Sequence, residues 1–495
     1  MTGVIADVEE VTITEGLPDI TTIEISAADA SITADESTSL TVLLKDQFGN
    51  LVVNDRGTVT LSVTPIGVID NGTEAGATAV EAVYSEDGIY MATFKLNEAG
   101  VGVATITGKF DGTVITDNAE VTVTNGSSMQ LAIQTEPSTD EVAGVEFNTQ
   151  PVILVQDQFG NTVTNSSAEI TASAVSASGS LNGSAIINAS SGIATFTNLS
   201  YNVAENINID FSSTGLTSVV STAITVNHNI PSYITIDGNE SQVAGQSQTI
   251  TLRVYDQYNN PATRLDGAID LTFSGANESP VPPFSPTANG TEFGTPTSLS
   301  FTDGVAAASM ILYNVETAYI EANHQANYSD EYFASTSINI AAAAPNGLQV
   351  DVTEAAASYF AITGNASQIA GESQQITITA YDEFNNVANN YYGTKQLRFA
   401  GASASTSPFT NPSVDGADFG TDTEVAFING EATVSMTLYK VENAKILATD
   451  WTSGEAGITT PDDVTDGETV YTYQLPVSVD PAPANYFAVT GSTTQ

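Results

Sequence analysis

Apolar and polar residues alternate along short stretches of this chain, and the alternation recurs four times. The apolar positions are Leu40, Val42 and Leu44; Pro151, Ile153 and Val155; Ile250, Leu252 and Val254; and Ile376, Ile378 and Ala380. A period of two places one set of side chains on a buried face and the other in solvent. The pattern predicts β-strands, and no segment shows a helical period.

Each of these strands ends in a related sequence that we call the Asp-aromatic turn. It reads Asp-Gln-Phe-Gly-Asn, Asp-Gln-Tyr-Asn-Asn or Asp-Glu-Phe-Asn-Asn, at residues 46–50, 157–161, 256–260 and 382–386. Gly and Asn tolerate the positive φ of a tight turn, and an Asp side chain accepts turn N–H groups. We assign a structural turn role to Asp46, Asp157, Asp256 and Asp382. A calcium ligand at a domain junction is the alternative, and the aromatic residue is expected to pack over the sandwich end.

A second repeated feature is a turn dipeptide before another alternating segment. The dipeptides are Asp87-Gly88, Ser191-Gly192, Asp303-Gly304 and Asn429-Gly430. Asp-Gly and Asn-Gly at such positions predict β-hairpins. Short strands with regular turns, in units of about 100 residues, indicate Ig-like sandwiches. The predicted fold class is therefore all-β, a tandem array of Ig-like β-sandwich domains forming an extended rod.

The repeats divide the chain into four complete Ig-like domains, at residues 18–124, 125–229, 230–356 and 357–483. Residues 1–17 are predicted to be the closing strand of a preceding unit, over 8–14, or an N-terminal tail. Residues 484–495 are predicted to be the first strand of a further unit. Linkers are expected around 125–130, 227–232, 341–357 and 480–485.

The two partial units favour an internal stretch of a longer protein. The alternative is a self-polymerising subunit, in which an unpaired strand completes a unit of another copy by strand addition.

The charge of the chain excludes several classes of partner. The sequence has 58 Asp and Glu against 10 Lys and Arg, a net charge of −48. Nucleic acid and anionic membranes both require basic side chains, so we expect neither as a partner. No apolar run approaches the length of a membrane span. The absence of Cys excludes disulfides and thiolate metal sites.

The alternating strand that ends in Asp-x-Phe-Gly-Asn, repeated in tandem, resembles bacterial Ig-like repeats of the invasin/intimin type. Residues 40–63, 87–107, 151–172 and 191–199 carry this likeness best. The third and fourth units look like a longer variant from large surface proteins of bacteria and archaea, with matching marks at 271–276 and 397–402 and at 312–316 and 438–442. The resemblance implies an extracellular adhesin stalk, surface-layer protein or spacer, and it brings no catalytic residues.

Candidate binding residues follow from composition. Two acidic clusters are candidate Ca²⁺ sites, because hard cations take carboxylate oxygens: Asp462, Asp463, Asp466 and Glu468, and a second loop with Asp415 and Asp418. Trp451, the single Trp, is a candidate glycan platform or a packed anchor. Sequons for N-glycosylation include Asn71, Asn165, Asn239, Asn289 and Asn365.

These observations favour a non-enzymatic structural segment of a large extracellular surface protein, as a stalk, filament or surface-layer lattice. The two His residues, His228 and His324, lie in non-equivalent places, and no nucleophile triad can be built. Copies of the chain or neighbouring repeats are the expected partners, with surface glycans as a further candidate. The alternatives are an adhesin or carbohydrate-binding module that acts through loop tips, and an accessory region of an exported enzyme.

Overall fold

The structure is a computed structural model, and it describes residues 11–54, 57–73, 76–175, 177–328, 336–341, 347–454, 457–466 and 469–484. Every regular element in these ranges is a β-strand. They contain no helix, and so none that is long and apolar enough to cross a membrane. The strands form tandem β-sandwiches, which confirms the predicted all-β class. Two compact units, residues 1–229 and 230–495, are described separately below.

The first sandwich places one sheet, in the order β1-β3-β8-β5 with β7 beside β8, over a second sheet, β2-β10-β9-β4-β6. Leu40, Val42, Leu61 and Phe94 are fully buried between them, as the alternation predicts. The strands are β1 Glu24–Ala27, β2 Ser31–Thr33, β3 Ser37–Leu43, β4 Val59–Thr64, β5 Val68–Asp70, β6 Ala79–Glu81, β7 Val83–Tyr84, β8 Ile89–Lys95, β9 Gly102–Phe110 and β10 Thr113–Thr124.

The second sandwich packs β11-β13-β17 over β12-β21-β19-β14-β16, with β20 beside β19 and a separate β15-β18 pair. Phe196 and Phe211 are buried with ring centroids 5.3 Å apart. The strands are β11 Gln130–Thr135, β12 Asp140–Val142, β13 Val152–Gln156, β14 Glu169–Val175, β15 Leu181–Asn182, β16 Ile186–Asn188, β17 Ile193–Thr195, β18 Ser200–Tyr201, β19 Asn206–Ser212, β20 Val219–Val220 and β21 Ile224–Asn227.

In the third sandwich the two faces are linked into one sheet, β23-β32-β30-β31-β22-β24-β29-β26-β27, and β25 pairs with β28 and β30. The strands are β22 Pro231–Asp237, β23 Ser241–Val243, β24 Ser247–Asp256, β25 Gly267–Ser274, β26 Thr287–Ala288, β27 Thr291–Glu292, β28 Pro296–Phe301, β29 Val305–Ile311, β30 Thr317–Tyr328, β31 Thr336–Ala341 and β32 Leu348–Thr353.

The fourth sandwich packs β33-β35-β42-β39-β40 over β34-β46-β43-β36-β41, with separate β37-β38 and β44-β45 hairpins. The strands are β33 Tyr359–Thr363, β34 Ser367–Ile369, β35 Ser373–Tyr381, β36 Gly393–Ala400, β37 Ser405–Thr406, β38 Phe409–Thr410, β39 Ser413–Val414, β40 Ala417–Asp418, β41 Thr423–Phe427, β42 Glu431–Thr437, β43 Asn443–Asp450, β44 Val464–Asp466, β45 Thr469–Tyr471 and β46 Leu475–Asp480.

The turn dipeptides form two-residue turns, but in three sandwiches the hairpin prediction is wrong beyond the turn. Asp303 and Gly304 both have positive φ, at 51° and 73°. The strand before this turn pairs with β25, whereas the strand after it pairs with β24. The second and fourth sandwiches diverge in the same way, and only the first keeps a short β7-β8 hairpin. The chain changes neighbours here because a sandwich needs strands on both of its faces.

Two expectations about chain segments differ from the structure. The predicted linker 341–357 contains β32, which closes the third sandwich by pairing with β23 and β30. Its alternating Leu-Gln-Val-Asp-Val-Thr sequence buries Leu348, Val350 and Val352. At the start of the chain, residues 11–14 form no strand. The remainder of the predicted 8–14 strand, like the predicted strand in 484–495 beyond residue 484, lies outside the described residues.

Candidate functional site at the sandwich joints

All four Asp-aromatic turns have the same internal hydrogen bonds. In each, the Asp Oδ1 accepts the N–H groups two and four residues later, at 2.8–3.0 Å. The Asp Oδ2 accepts the Nδ2–H of the last Asn, at 2.9–3.1 Å. This is the geometry of an Asx turn extended by one side-chain bond. It is fixed within five residues of sequence.

A further hydrogen bond joins the turn to the segment that enters the sandwich. The acceptor is Oδ2 of the turn Asp, and the donor is a backbone N–H of that segment. Asp46 accepts from Gly16, Asp157 from Gly126 and Asp382 from Ala355, at 2.9–3.1 Å. An ionised carboxylate offers about four lone-pair positions, and these donors occupy all of them. A calcium ion would therefore have to displace backbone N–H groups from the carboxylate.

The hydrogen bonds also set the acidity of Asp157. Burial alone raises the pKa of this carboxyl, but donors from Asn161, Gly126 and Phe159 outweigh it and hold the pKa below its usual value. At Asp46 the side-chain bond from Asn50 is the largest influence, and the pKa of this carboxyl is also lowered. Both groups are therefore ionised at neutral pH.

The second sandwich contacts the first through its Asp-aromatic turn. Phe159 packs against the hydrophobic core of the first sandwich. Asn161 Oδ1 accepts the N–H of Gly100, in the loop after β8, at 2.6 Å. On the linker, Asn125 Oδ1 accepts the hydroxyl of Thr164 at 3.1 Å. We call these contacts the first joint.

The fourth sandwich contacts the third in the same way but with more aromatic surface. The Phe384 ring lies 5.4 Å from Phe284 and 5.1 Å from Tyr313, centroid to centroid. A Cβ added to Gly245 would lie 2.0 Å from the Phe384 ring, so only glycine leaves room for it. Gly245, Phe284 and Tyr313 form what we call the aromatic socket, and these contacts belong to the second joint.

Polar bonds complete the second joint. Asn386 accepts the N–H of Val315 through Oδ1 at 3.1 Å and donates through Nδ2 to the Tyr313 carbonyl at 2.7 Å. Asn385 donates through Nδ2 to the Pro282 carbonyl at 2.7 Å. The sequence predicted that the aromatic residue packs over a sandwich end. It did not reveal that this end belongs to the preceding sandwich, because nothing in the turn's own sequence identifies the partner.

In the first acidic cluster, Asp462 and Asp463 bind different partners. Asp463 forms an ion pair with Lys445 at 2.9 Å and accepts the N–H of Tyr473 at 3.0 Å. Asp462 accepts Nε2–H of Gln474 at 2.9 Å. Asp466 lies in β44, and Glu468 lies outside the described residues.

In the second acidic loop, Asp415 accepts the N–H of Ser435 at 2.8 Å and Asp418 accepts Nδ2–H of Asn411 at 2.9 Å. Across the described part of the chain, no three His, Asp or Glu side chains converge as metal ligands would. The calcium sites stay predictions.

Trp451 is half-buried, and the Arg398 guanidinium lies 3.8 Å from the centre of its ring. Arg398 also pairs with Asp422 at 2.6 Å. A cation already covers one face of the indole, so a sugar would have the other face or would have to move Arg398. Glycan binding at Trp451 stays a prediction.

The sequon asparagines differ in accessibility. Asn71 is half-buried and donates Nδ2–H to the Glu81 carbonyl at 2.9 Å. A glycan on Asn71 would leave Nδ2 a single hydrogen for this bond, and glycosylation at Asn71 stays a prediction. The other four sequon positions are exposed: Asn165, Asn239, Asn289 and Asn365. Glycosylation at these four positions stays a prediction.

Several solved structures resemble the chain at low identity. FdeC, an Escherichia coli adhesin, is 17% identical over 69% of this chain and 100% of its own, with a TM-score of 0.33. InvD of Yersinia pseudotuberculosis is 16% identical over 65% and 97%, with a TM-score of 0.34. The S-layer protein rSbsC is 15% identical over 92% and 54%, with a TM-score of 0.19. These TM-scores are too low to carry a functional inference. No family model and no curated protein matches the sequence.

Proposed function

We propose that this chain is a non-enzymatic structural segment of a large extracellular surface protein, in which Asp-aromatic turns hold the first and second sandwiches, and the third and fourth, at defined angles. The joints carry this proposal. A flexible tether needs only a linker, whereas in the first and second joints a buried Asp, an Asn and an aromatic ring tie the linker to the sandwiches on both sides. Such a joint transmits position and force from one sandwich to the next.

Composition supports an exposed location. The net charge of −48 keeps the surface strongly hydrated and makes copies repel one another. The absence of Cys makes the fold independent of the redox state of its surroundings. The resemblance to invasin/intimin-type repeats points to the same setting.

The fixed angle can be tested with spin labels, because a chain without Cys takes them only where Cys is introduced. Val103→Cys and Ile186→Cys place labels on exposed positions of the first and second sandwiches. We expect a narrow distance distribution by pulsed electron resonance, and a broad one after Asp157→Ala. A broad distribution in the unmutated joint would remove the basis for a spacer of fixed geometry.

The extracellular location has to be tested on the cells that produce the protein. Antibodies against this chain should label the surface of intact cells in electron micrographs, and external protease should remove the label. Labelling confined to the cell interior would refute the proposal. Glycan capture by the purified chain, lost in Trp451→Ala, would favour the adhesin alternative.

A further inference from the structure

Glu141 is a buried carboxyl in the second sandwich. It lies in β12, which pairs in parallel with β21, and it is only 1% exposed. Residues 110–252 contain no Lys or Arg, so no basic side chain of this sandwich other than a histidine can offset its charge. Burial without an opposite charge removes the water that stabilises an ionised carboxylate.

The hydrogen bonds to Glu141 all come from uncharged donors. Oε1 accepts the hydroxyl of Ser138 and, at 2.9 Å, the N–H of Asn148, and Oε2 accepts Nδ2–H of Asn148 at 3.3 Å. Asp157, which is equally buried in the same sandwich, accepts four hydrogen bonds, and they hold its pKa low. At Glu141 burial outweighs the donors and raises the pKa of the carboxyl, with a smaller contribution from the charge of Asp140.

The other three sandwiches have an uncharged residue at this position. Ile32, Gln242 and Gln368 each lie in a short strand like β12. Like Glu141, each of them pairs in parallel with a Val of the strand that closes its sandwich. All three are buried. The position is therefore buried in every sandwich, and only the second sandwich has a carboxyl there.

The two glutamines show which hydrogen bonds this position offers. Gln242 accepts Nε2–H of Gln248 at 2.9 Å and donates its own Nε2–H to the backbone carbonyl four residues later. Gln368 accepts and donates in the same way. An ionised carboxylate can only accept, whereas a protonated carboxyl also has an O–H to donate. Glu141 therefore matches these glutamines only when it is protonated.

We propose that Glu141 is a proton-binding site that makes the second sandwich more stable in mildly acidic solution than in neutral solution. A proton taken from water neutralises the buried charge and supplies the O–H donor. Because the folded pKa is raised, the stabilisation is complete below the ordinary Glu pKa of about 4.3 and is lost as the pH rises through the folded value. Most buried carboxylates, Asp157 among them, have the opposite dependence.

Other titratable residues lie on the elements around Glu141. They are Glu136, Asp140, Glu146, Tyr201, Glu205 and His228. The first three are exposed, Tyr201 donates its hydroxyl to Glu205 at 2.5 Å, and Nδ1 of His228 lies 2.6 Å from the Asn229 carbonyl oxygen. All of them are present both in the unmutated chain and in a Glu141→Gln variant. A comparison of the two chains at each pH therefore cancels their own contributions.

Amide hydrogen exchange of the full chain, measured by mass spectrometry, tests the proposal because it reports on each sandwich separately. At pH about 7, Glu141→Gln should slow exchange in β12 and β21 about threefold or more relative to the unmutated chain. At pH about 4 this difference should disappear. Glu146→Gln, the same chemical change on an exposed residue of the following loop, is the control and should exchange like the unmutated chain at both pH values.

The reciprocal change places a carboxyl in the third sandwich. Gln242→Glu should speed exchange in β23 and β32 at pH about 7, and less so at pH about 4, because only the protonated carboxyl can donate. Faster exchange in Glu141→Gln than in the unmutated chain at pH about 7 would overturn the proposal, since it would mean that the ionised carboxylate stabilises β12. A difference of equal size at both pH values, in either variant, would overturn it as well.

Discussion

The two joints use the same turn but hold it differently. In the first joint, Phe159 packs on the core of the first sandwich and Asn161 takes one backbone N–H. In the second joint, Phe384 enters a socket with two aromatic rings, and Asn386 both accepts and donates. The turn geometry is local, whereas the strength of the joint depends on what the preceding sandwich offers.

One position in the turn accounts for part of the difference. The fourth residue is Gly160 in the first joint and Asn385 in the second, and both have positive φ, at 90° and 70°. Asn accepts this conformation at some cost. In return its side chain reaches the Pro282 carbonyl and accepts the hydroxyl of Tyr359, both at 2.7 Å. At the fourth turn position, the second joint therefore has side-chain hydrogen bonds, whereas Gly160 of the first joint has no side chain to form them.

Removing the carboxylate should have the largest effect. Asp382 is fully buried and accepts four hydrogen bonds. Asp382→Ala leaves buried donors unpaired, and we expect a loss of about 3 kcal/mol in the free energy of unfolding, measured with urea. Asp237→Ala, which removes an exposed partner of Arg253, should cost less than about 1 kcal/mol. Equal losses in the two variants would contradict a central role for the carboxylate.

Truncating the aromatic residue should rank the sites directly. We expect Phe384→Ala to cost about 2 kcal/mol through lost burial and ring contacts, and Phe159→Ala to cost less. Phe48→Ala should change the stability of the monomer by less than about 0.5 kcal/mol, because the ring is in solvent. Thermal unfolding at low ionic strength measures all three. A large loss of stability in Phe48→Ala would show that this ring packs against other residues of its own chain.

Exchanging the fourth turn residue should make the joints more alike. Asn385→Gly removes bonds to Pro282 and Tyr359, and we expect it to cost about 1 kcal/mol in the free energy of unfolding, since glycine regains the φ without strain. The reciprocal Gly160→Asn should be close to neutral. Urea unfolding of both variants checks the pair. A stabilising Asn385→Gly would mean that backbone strain outweighs the side-chain bonds.

The pH dependence should show the smallest effect. The folded pKa of Asp157 is lowered, so its contribution to stability is complete above its unfolded pKa of about 4 and is lost as the pH falls through the folded value. Asp157→Asn should therefore lower the melting temperature more at pH about 7 than at pH about 2. An equal difference at both values would show that ionisation of Asp157 does not stabilise the joint.

The sequence by itself was sufficient for the alternating core strands that lead into the Asp-aromatic turns, and for those turns. Leu40 and Val42 alternate with polar residues, and this alternation alone indicates which face is buried. The Asp-aromatic turn is equally local, because the Asp carboxylate, the backbone N–H of the aromatic residue and the Asn lie within five residues. The carboxylate can only accept, so few other hydrogen bonds are open to these groups. The prediction was wrong for the strand Leu348–Thr353. Because an Ala-rich stretch with a Pro precedes this strand, the sequence was interpreted as a linker in spite of its alternation.

Only the tertiary structure decided where each turn makes contact. Asn161 meets a backbone N–H 61 residues away, and Asn385 meets a carbonyl 103 residues away. Such contacts depend on how a whole preceding sandwich presents its loops, which no five-residue pattern contains. The same reason explains why Phe159 and Phe384, on turns of similar sequence, pack against different groups of the preceding sandwich. Hydrogen bonds within five residues form the turn, whereas contacts with the preceding sandwich form the joint.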